Sequence, residues 1–221
     1  MSIPTPTPAT LTELLSFDLR YGLPSVVSVL RSKLTLRELG RVAFSLARHA
    51  PHDPLAIRKN LPSWNDAHDK LTRYQLRALF RLDDATRSAL RWDEAARLAL
   101  LREVVAASGS VFISKNVPFP SGAAWKASNQ EERADFAARL QGRLFNTIMK
   151  THEVTDRALA FDVSACRFAQ LCRAYERMYL APLFCEADAR FFRDSSTGIQ
   201  LQRTKTLARG DDVCDFRFVW E

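Results

Sequence analysis

The period of the apolar residues changes along this chain, and that change limits the folds open to it. Up to about residue 150 they recur at the three-to-four spacing of amphipathic helices. Leu159, Phe161, Val163 and Ala165 then alternate with Ala160, Asp162 and Ser164, as in a strand with one buried face. Ile199 to Leu207 and Val213 to Trp220 also alternate. Ala208-Arg209-Gly210-Asp211-Asp212 joins them as the short, glycine-bearing connection of a β-hairpin. Helices followed by a few strands define an α+β chain, predominantly helical, with a small antiparallel sheet that includes a C-terminal β-hairpin. Only 7 glycines in 221 residues agree, because chains of many tight hairpins need more.

The helical part is marked by its caps. Thr10-x-x-Glu13, Thr35-x-x-Glu38 and Ser128-x-x-Glu131 have capping-box spacing. They predict helices from residue 11 to a break at Gly22-Leu23-Pro24, over 36–49 with Leu36, Leu39, Val42, Ala43 and Leu46 on one face, and over 129–150. Further helices are expected at 24–32, 66–81, 84–107, 166–179 and 185–194. Pro182 should interrupt the last two. Ser108-Gly109-Ser110 reads as punctuation, 50–66 as a loop, Ser195-Ser196-Thr197-Gly198 as a turn, and residues 1–9 as a disordered or extended tail. Composition divides the chain into a helical N-terminal extension, 1–60, packed on an α+β domain, 61–221.

The net charge is +7 and arginine far outnumbers lysine, but the cations are dispersed among 25 acids with no block of like charge. A nucleic-acid footprint is clustered, so a solvated surface is expected and no nucleic-acid partner. No run of about 18 apolar residues exists, so no membrane partner is expected. With no secretory signal and too few cysteines for a disulfide scaffold, the four thiols should be reduced, as in a cytoplasm.

All four cysteines lie in the last quarter of the chain. Cys185 and Asp188, at i and i+3, share a helix face, and Cys185 follows Pro182-Leu183-Phe184, near a predicted helix N-terminus that would favour its thiolate. Cys166 stands where a strand hands over to a helix. Cys214 alternates with Phe216 and Phe218 while Asp215 points the other way. Cys172, mid-helix, suits a small buried hydrophobe best. Without a C-x-x-C pair a zinc site is weakly supported, and no cofactor is expected. His152 reads as a helix-end charge partner, with a Cys–His pair to Cys185 or Cys166 as the alternative.

Cys166-Arg167-Phe168, Cys185-Glu186-Ala187-Asp188 and, above all, the closing stretch Arg203-Thr204-Lys205-Thr206 to Gly210, then Cys214-Asp215-Phe216-Arg217-Phe218, resemble the L-2-amino-thiazoline-4-carboxylic acid hydrolase family of bacterial proteins. The resemblance runs over about 130–221. It departs where Arg167 stands, a position where the family often has proline. It implies ring-opening hydrolysis of a small cyclic amidine or isothiourea to an N-carbamoyl cysteine, with a small and anionic substrate. Cys185 or Cys214 would attack the sp² carbon, with Cys166 nearby, and Asp188 would move the proton. Arg203 would hold the substrate carboxylate, and Thr206 and Asp215 would also bind substrate. A plain pairing of Arg203 with Asp215 across the hairpin is the other reading of that arginine. Two cysteines and an aspartate also look like the residue set of organomercurial lyases. That likeness keeps open a non-hydrolytic, soft-metal or small-molecule-binding use of the same cluster.

Overall fold

Thr10 and Thr35 close the caps that their spacing predicts. In the computed structural model, which describes residues 3–56, 59–194 and 197–220, each hydroxyl accepts from the N–H three residues on. Each glutamate, Glu13 or Glu38, accepts in return from the threonine N–H at 2.9 Å. Helix α1 (Leu11–Phe17) starts there and α3 (Leu36–His49) follows the second cap. Gly22-Leu23-Pro24 does not break the first helix. A π-helical turn, Asp18–Gly22, carries α1 into α2 (Leu23–Lys33) and absorbs the missing N–H of Pro24, which lies in the first turn of α2. The tail is extended and held down: Ala9 N–H donates to the Gly142 carbonyl, and Arg143 to that of Thr7.

Helix α4 (Asp66–Ala89) runs past the break expected after residue 81, and α5 (Glu94–Asn116) starts ten residues later than expected. Asp83 and Asp84 look like caps in sequence, but their carboxylates are occupied by arginines. Asp93 is the residue that caps α5, accepting from Ala96 N–H at 2.7 Å. Ser108-Gly109-Ser110 does not end α5. Ser108 donates to the Val104 carbonyl one turn back, and Gly109 lies so close to Ala187 that a Cβ there would stand 3.0 Å from that methyl.

Helix α6 (Gly122–Ala127) was not legible in sequence. The third cap shifts by one residue: Asn129 pairs with Glu132 and opens α7 (Gln130–Arg143). This helix ends seven residues before the expected point. The next stretch, rich in β-branched Thr147, Ile148, Thr151 and Val154, is strand β1 (Thr147–Val154). Strand β2 (Ala158–Cys166) falls where alternation predicts it. It leads through α8 (Arg167–Ala174) and a 3₁₀ turn, Met178–Leu180, into α9 (Ala181–Asp194). Pro182 interrupts nothing, because it lies in the first turn of α9, where its absent N–H has no partner to lose. Of the turn expected at 195–198, Ser195 and Ser196 lie outside the described residues.

Strand β3 (Ile199–Gln202) is shorter than expected and pairs with β4 (Cys214–Trp220) from Ile199↔Trp220 to Gln202↔Arg217. The connection is therefore 203–213, containing a 3₁₀ turn, Leu207–Arg209, that Gly210 closes at φ +99°. The sheet is antiparallel throughout, in the order β1-β2-β4-β3. The chain is thus α+β, mostly helical, with a small sheet and a C-terminal hairpin.

Two cores meet inside the molecule. A helical core joins Leu30, Val42 and Leu55 of the first sixty residues to Leu76, Leu101, Leu171 and Leu183, so burial runs across the boundary that composition draws at 60. A sheet core packs Trp125, Phe136 and Phe192 on Phe161, Phe218 and Trp220, with the Trp125 and Trp220 rings stacked 4.1 Å apart. Cys166 packs against both cores.

Candidate active site

The seam between the cores gathers the predicted cysteines. Cys214, opening β4, stands opposite Val163 of β2, and Cys166 ends β2 three residues further on. Helix α9 crosses this end of the sheet with Cys185 and Asp188 one turn apart. The three thiols and the Asp188 carboxylate lie close enough to perturb one another's charge.

Their protonation is governed by burial. Cys185 sits a full turn inside α9, so the helix-start argument does not apply to it. Burial first, and the Asp188 charge second, push its thiol well up, while Arg203 pulls the other way. Cys166 is the thiol at a helix N-terminus. It is the N-cap of α8, and the N–H groups of Phe168 and Ala169 favour its thiolate, yet burial still pushes it up to about 11. Cys214 is raised by burial against the pull of Leu207 N–H, which donates to its sulfur at 3.2 Å, and of Arg203. Cys172 is sealed in the helical core and pushed up to about 12 by burial.

The Asp188 carboxyl is raised as well. Crowding by protein raises its pKa to about 6, with Arg203 acting against the shift. The side chain is 35% exposed, so it sits at an opening and not in a sealed interior. Arg203 is nearly buried. It donates to Asp188 at 3.3 Å and to the Cys185 carbonyl at 2.5 Å, and its guanidinium lies 4.8 Å over the Phe216 ring. Its partner is Asp188, not Asp215 across the hairpin. Asp215 instead accepts from Thr204 N–H, Thr204 hydroxyl and Lys205 N–H. Burial opposes these donors, but they hold its carboxyl below the usual range and fix the start of the 203–213 connection. Thr206 is buried with no partner for its hydroxyl, so that group has unused hydrogen-bonding capacity next to the Leu207 N–H on Cys214.

His152 lies on exposed β1 with its ring 3.9 Å from Asp162, in place of the expected helix end. Arg167, which stands where the family often has proline, is buried and donates to Asp69 at 2.6 Å and the Pro62 carbonyl at 3.0 Å, tying the 50–66 segment to α8. Sequence reasoning missed it. The signal was an arginine directly after a cysteine at an element boundary. Among the described residues no three His, Cys, Asp or Glu side chains are grouped closely enough to hold a metal ion. Neither of two broad surface clefts, one beside Arg157 and Trp220 and one between Arg102 and Arg193, is lined by the thiols.

A thiol, a carboxylate and a guanidinium thus meet at the seam between the two cores of a small α+β fold. The family model described as L-2-amino-thiazoline-4-carboxylic acid hydrolase matches residues 95–218, more than half of the chain, and the protein belongs to that family. No curated protein matches the chain.

Proposed function

We propose that the protein opens a small thiazoline-carboxylate-like ring, a cyclic isothiourea or amidine, by hydrolysis at the carbon between nitrogen and sulfur, with Cys185 as nucleophile. What carries this reading is Asp188. A carboxylate raised to about 6, one helical turn from a thiol too weakly acidic to ionise alone, has the strength of a general base at neutral pH.

Asp188 takes the Cys185 proton as the sulfur bonds to the ring carbon. The ring C–S bond breaks, and Asp188 returns the proton to the leaving sulfur. Water then attacks the enzyme-bound carbon, again deprotonated by Asp188. The C–Sγ bond breaks, the thiol of Cys185 is restored, and an N-carbamoyl cysteine leaves. Arg203 serves this scheme by holding Asp188 in place. Cys214 and Cys166 flank Cys185, and the Thr206 hydroxyl, without a partner in the fold, is offered to the substrate. Residues 61–221 form the catalytic unit with 1–60 packed on it, working in a reducing bacterial cytoplasm.

The test is turnover of 2-amino-thiazoline-4-carboxylate by the wild type, Cys185→Ser and Cys214→Ser, with acid-quenched mass spectrometry for an adduct on Cys185. Loss of turnover in Cys185→Ser with its fold intact, together with the adduct, is expected. Full activity in Cys185→Ser sinks the cysteine mechanism.

A further inference from the structure

The N-terminal helices leave an apolar face uncovered. Of the eight large hydrophobic side chains exposed among the described residues, seven lie between Leu15 and Phe44, outside the stretch the family model matches. Leu15, Leu19, Leu23 and Val27 recur every four residues. In an unbroken α-helix Val27 would point about 120° away from Leu15, since 3.6 residues make a turn. Five π-helical residues, at about 4.4 per turn, cut that swing to about 30°. The π turn therefore straightens four scattered positions into one stripe, with Leu19 74% and Leu23 58% exposed. Helix α3 also exposes Leu36 at 86% and Phe44 at 69%.

The charge around this face has one sign. Arg20, Arg31, Lys33, Arg37 and Arg41 are exposed, and none makes an ion pair with the described residues. The acids of the same segment are engaged elsewhere. Asp18 accepts from the Tyr74 hydroxyl at 2.7 Å. Glu38 is held by its cap and by the Trp92 indole at 2.9 Å, and Glu13 by its cap and Arg143. A leucine stripe among exposed cations, with the segment's carboxylates already hydrogen-bonded to other partners, is the pattern of an interfacial helix on an anionic bilayer.

We infer that residues 11–49 dock this protein on an anionic lipid surface, with the Leu15–Val27 stripe at the acyl boundary and the cations on headgroup phosphates. Among the described residues no helix is long and apolar enough to cross a membrane. A surface contact needs no such helix, and the inference departs here from the sequence expectation of no membrane partner, which rested on the lack of a spanning run. A second copy fits the face less well. It would bring the like-charged rims of the two faces together.

The experiment is flotation of the full chain with phosphatidylcholine vesicles carrying about 30% phosphatidylserine, or none, at about 0.1 M salt, where surface charge still acts over about 10 Å. Binding to the anionic vesicles only is expected. Leu19→Glu/Leu23→Glu should weaken it at least tenfold, and Arg31→Glu/Lys33→Glu should abolish the preference for serine lipid. These side chains are exposed, so the melting temperature of each variant should match the wild type. Equal partition to both vesicles, or full binding by Leu19→Glu/Leu23→Glu, overturns the inference. A dimer that this double variant converts to monomer in light scattering also overturns it, by assigning the face to a second copy.

Discussion

Asp83 and Asp188 are both aspartates set against arginine inside the protein, yet they serve opposite ends. Asp83 is fully buried and saturated. It accepts from Arg97, from Arg177 at 3.2 Å and from the Tyr179 hydroxyl at 2.6 Å, and it joins α4, α5 and the 3₁₀ turn before α9. Asp188 has one arginine at 3.3 Å, an opening to solvent, and thiols for neighbours. Three donors from two other elements tie Asp83 into the packing and make it a structural rivet. At Asp188 burial lifts the carboxyl to about 6 against the pull of a single arginine.

Asp83→Ala should show the largest effect, because it strands Arg97 and Arg177 in the interior. A loss of about 3–5 kcal/mol in urea unfolding is expected, or failure to fold. Asp188→Ala should fold and lose far less. Equal losses at the two positions would erase the distinction.

Activity should show the reverse order. Asp188→Asn is expected to cut turnover by about 10²–10⁴-fold with little change in the unfolding midpoint, as for a lost general base.

The pH dependence sharpens the same point. The folded-state pKa of Asp188, about 6, lies above its ordinary value of 3.8. Between those values the folded state holds more protons than the unfolded one, so stability contributed at this group falls as pH rises from about 4 to about 6 and levels off above. Thermal melts of Asp188→Asn across that window should lack the fall. The wild-type rate should rise with pH along a limb near 6 that the variant also lacks.

Two smaller effects probe the frame around Asp188. Gly109→Ala places a methyl 3.0 Å from Ala187, one residue before Asp188, and should cost about 1–3 kcal/mol by pushing α9 off α5. Thr206→Val removes a hydroxyl that has no partner in the folded chain. Its unfolding midpoint should stay level or rise slightly, while KM rises if the hydroxyl meets substrate. An unchanged KM would confine Thr206 to packing.

Much of the fold was legible because it depends on local rules. Capping spacings located α1 and α3, and alternation located β2 and β4. The misreadings came where a long-range partner overrode a local signal. Asp83-Asp84 imitates a helix break, but arginines from α5 and from before the 3₁₀ turn claim it. Ser108-Gly109-Ser110 imitates a loop, but α9 needs the missing side chain. Leu144 and Ile148 continue a helical count, but β2 requires an edge strand beside it. In the candidate site, the residue types and the i, i+3 pairing of Cys185 with Asp188 were readable. The partner of Arg203 was not, because a guanidinium at the end of a short strand can reach either side of the hairpin.

The sequence by itself determined the class of fold, the family, and the thiols and carboxylate from which a site could be built, since periodicity, caps and motif order are written along the chain. Only the tertiary structure decided which of those groups share a seam, that Arg203 faces Asp188, and that burial raises the thiols and lifts Asp188 to about 6. The reason is physical: proton affinity depends on how much water and which charges surround a group, and that environment is assembled by segments as distant as α9, β2 and the 203–213 connection.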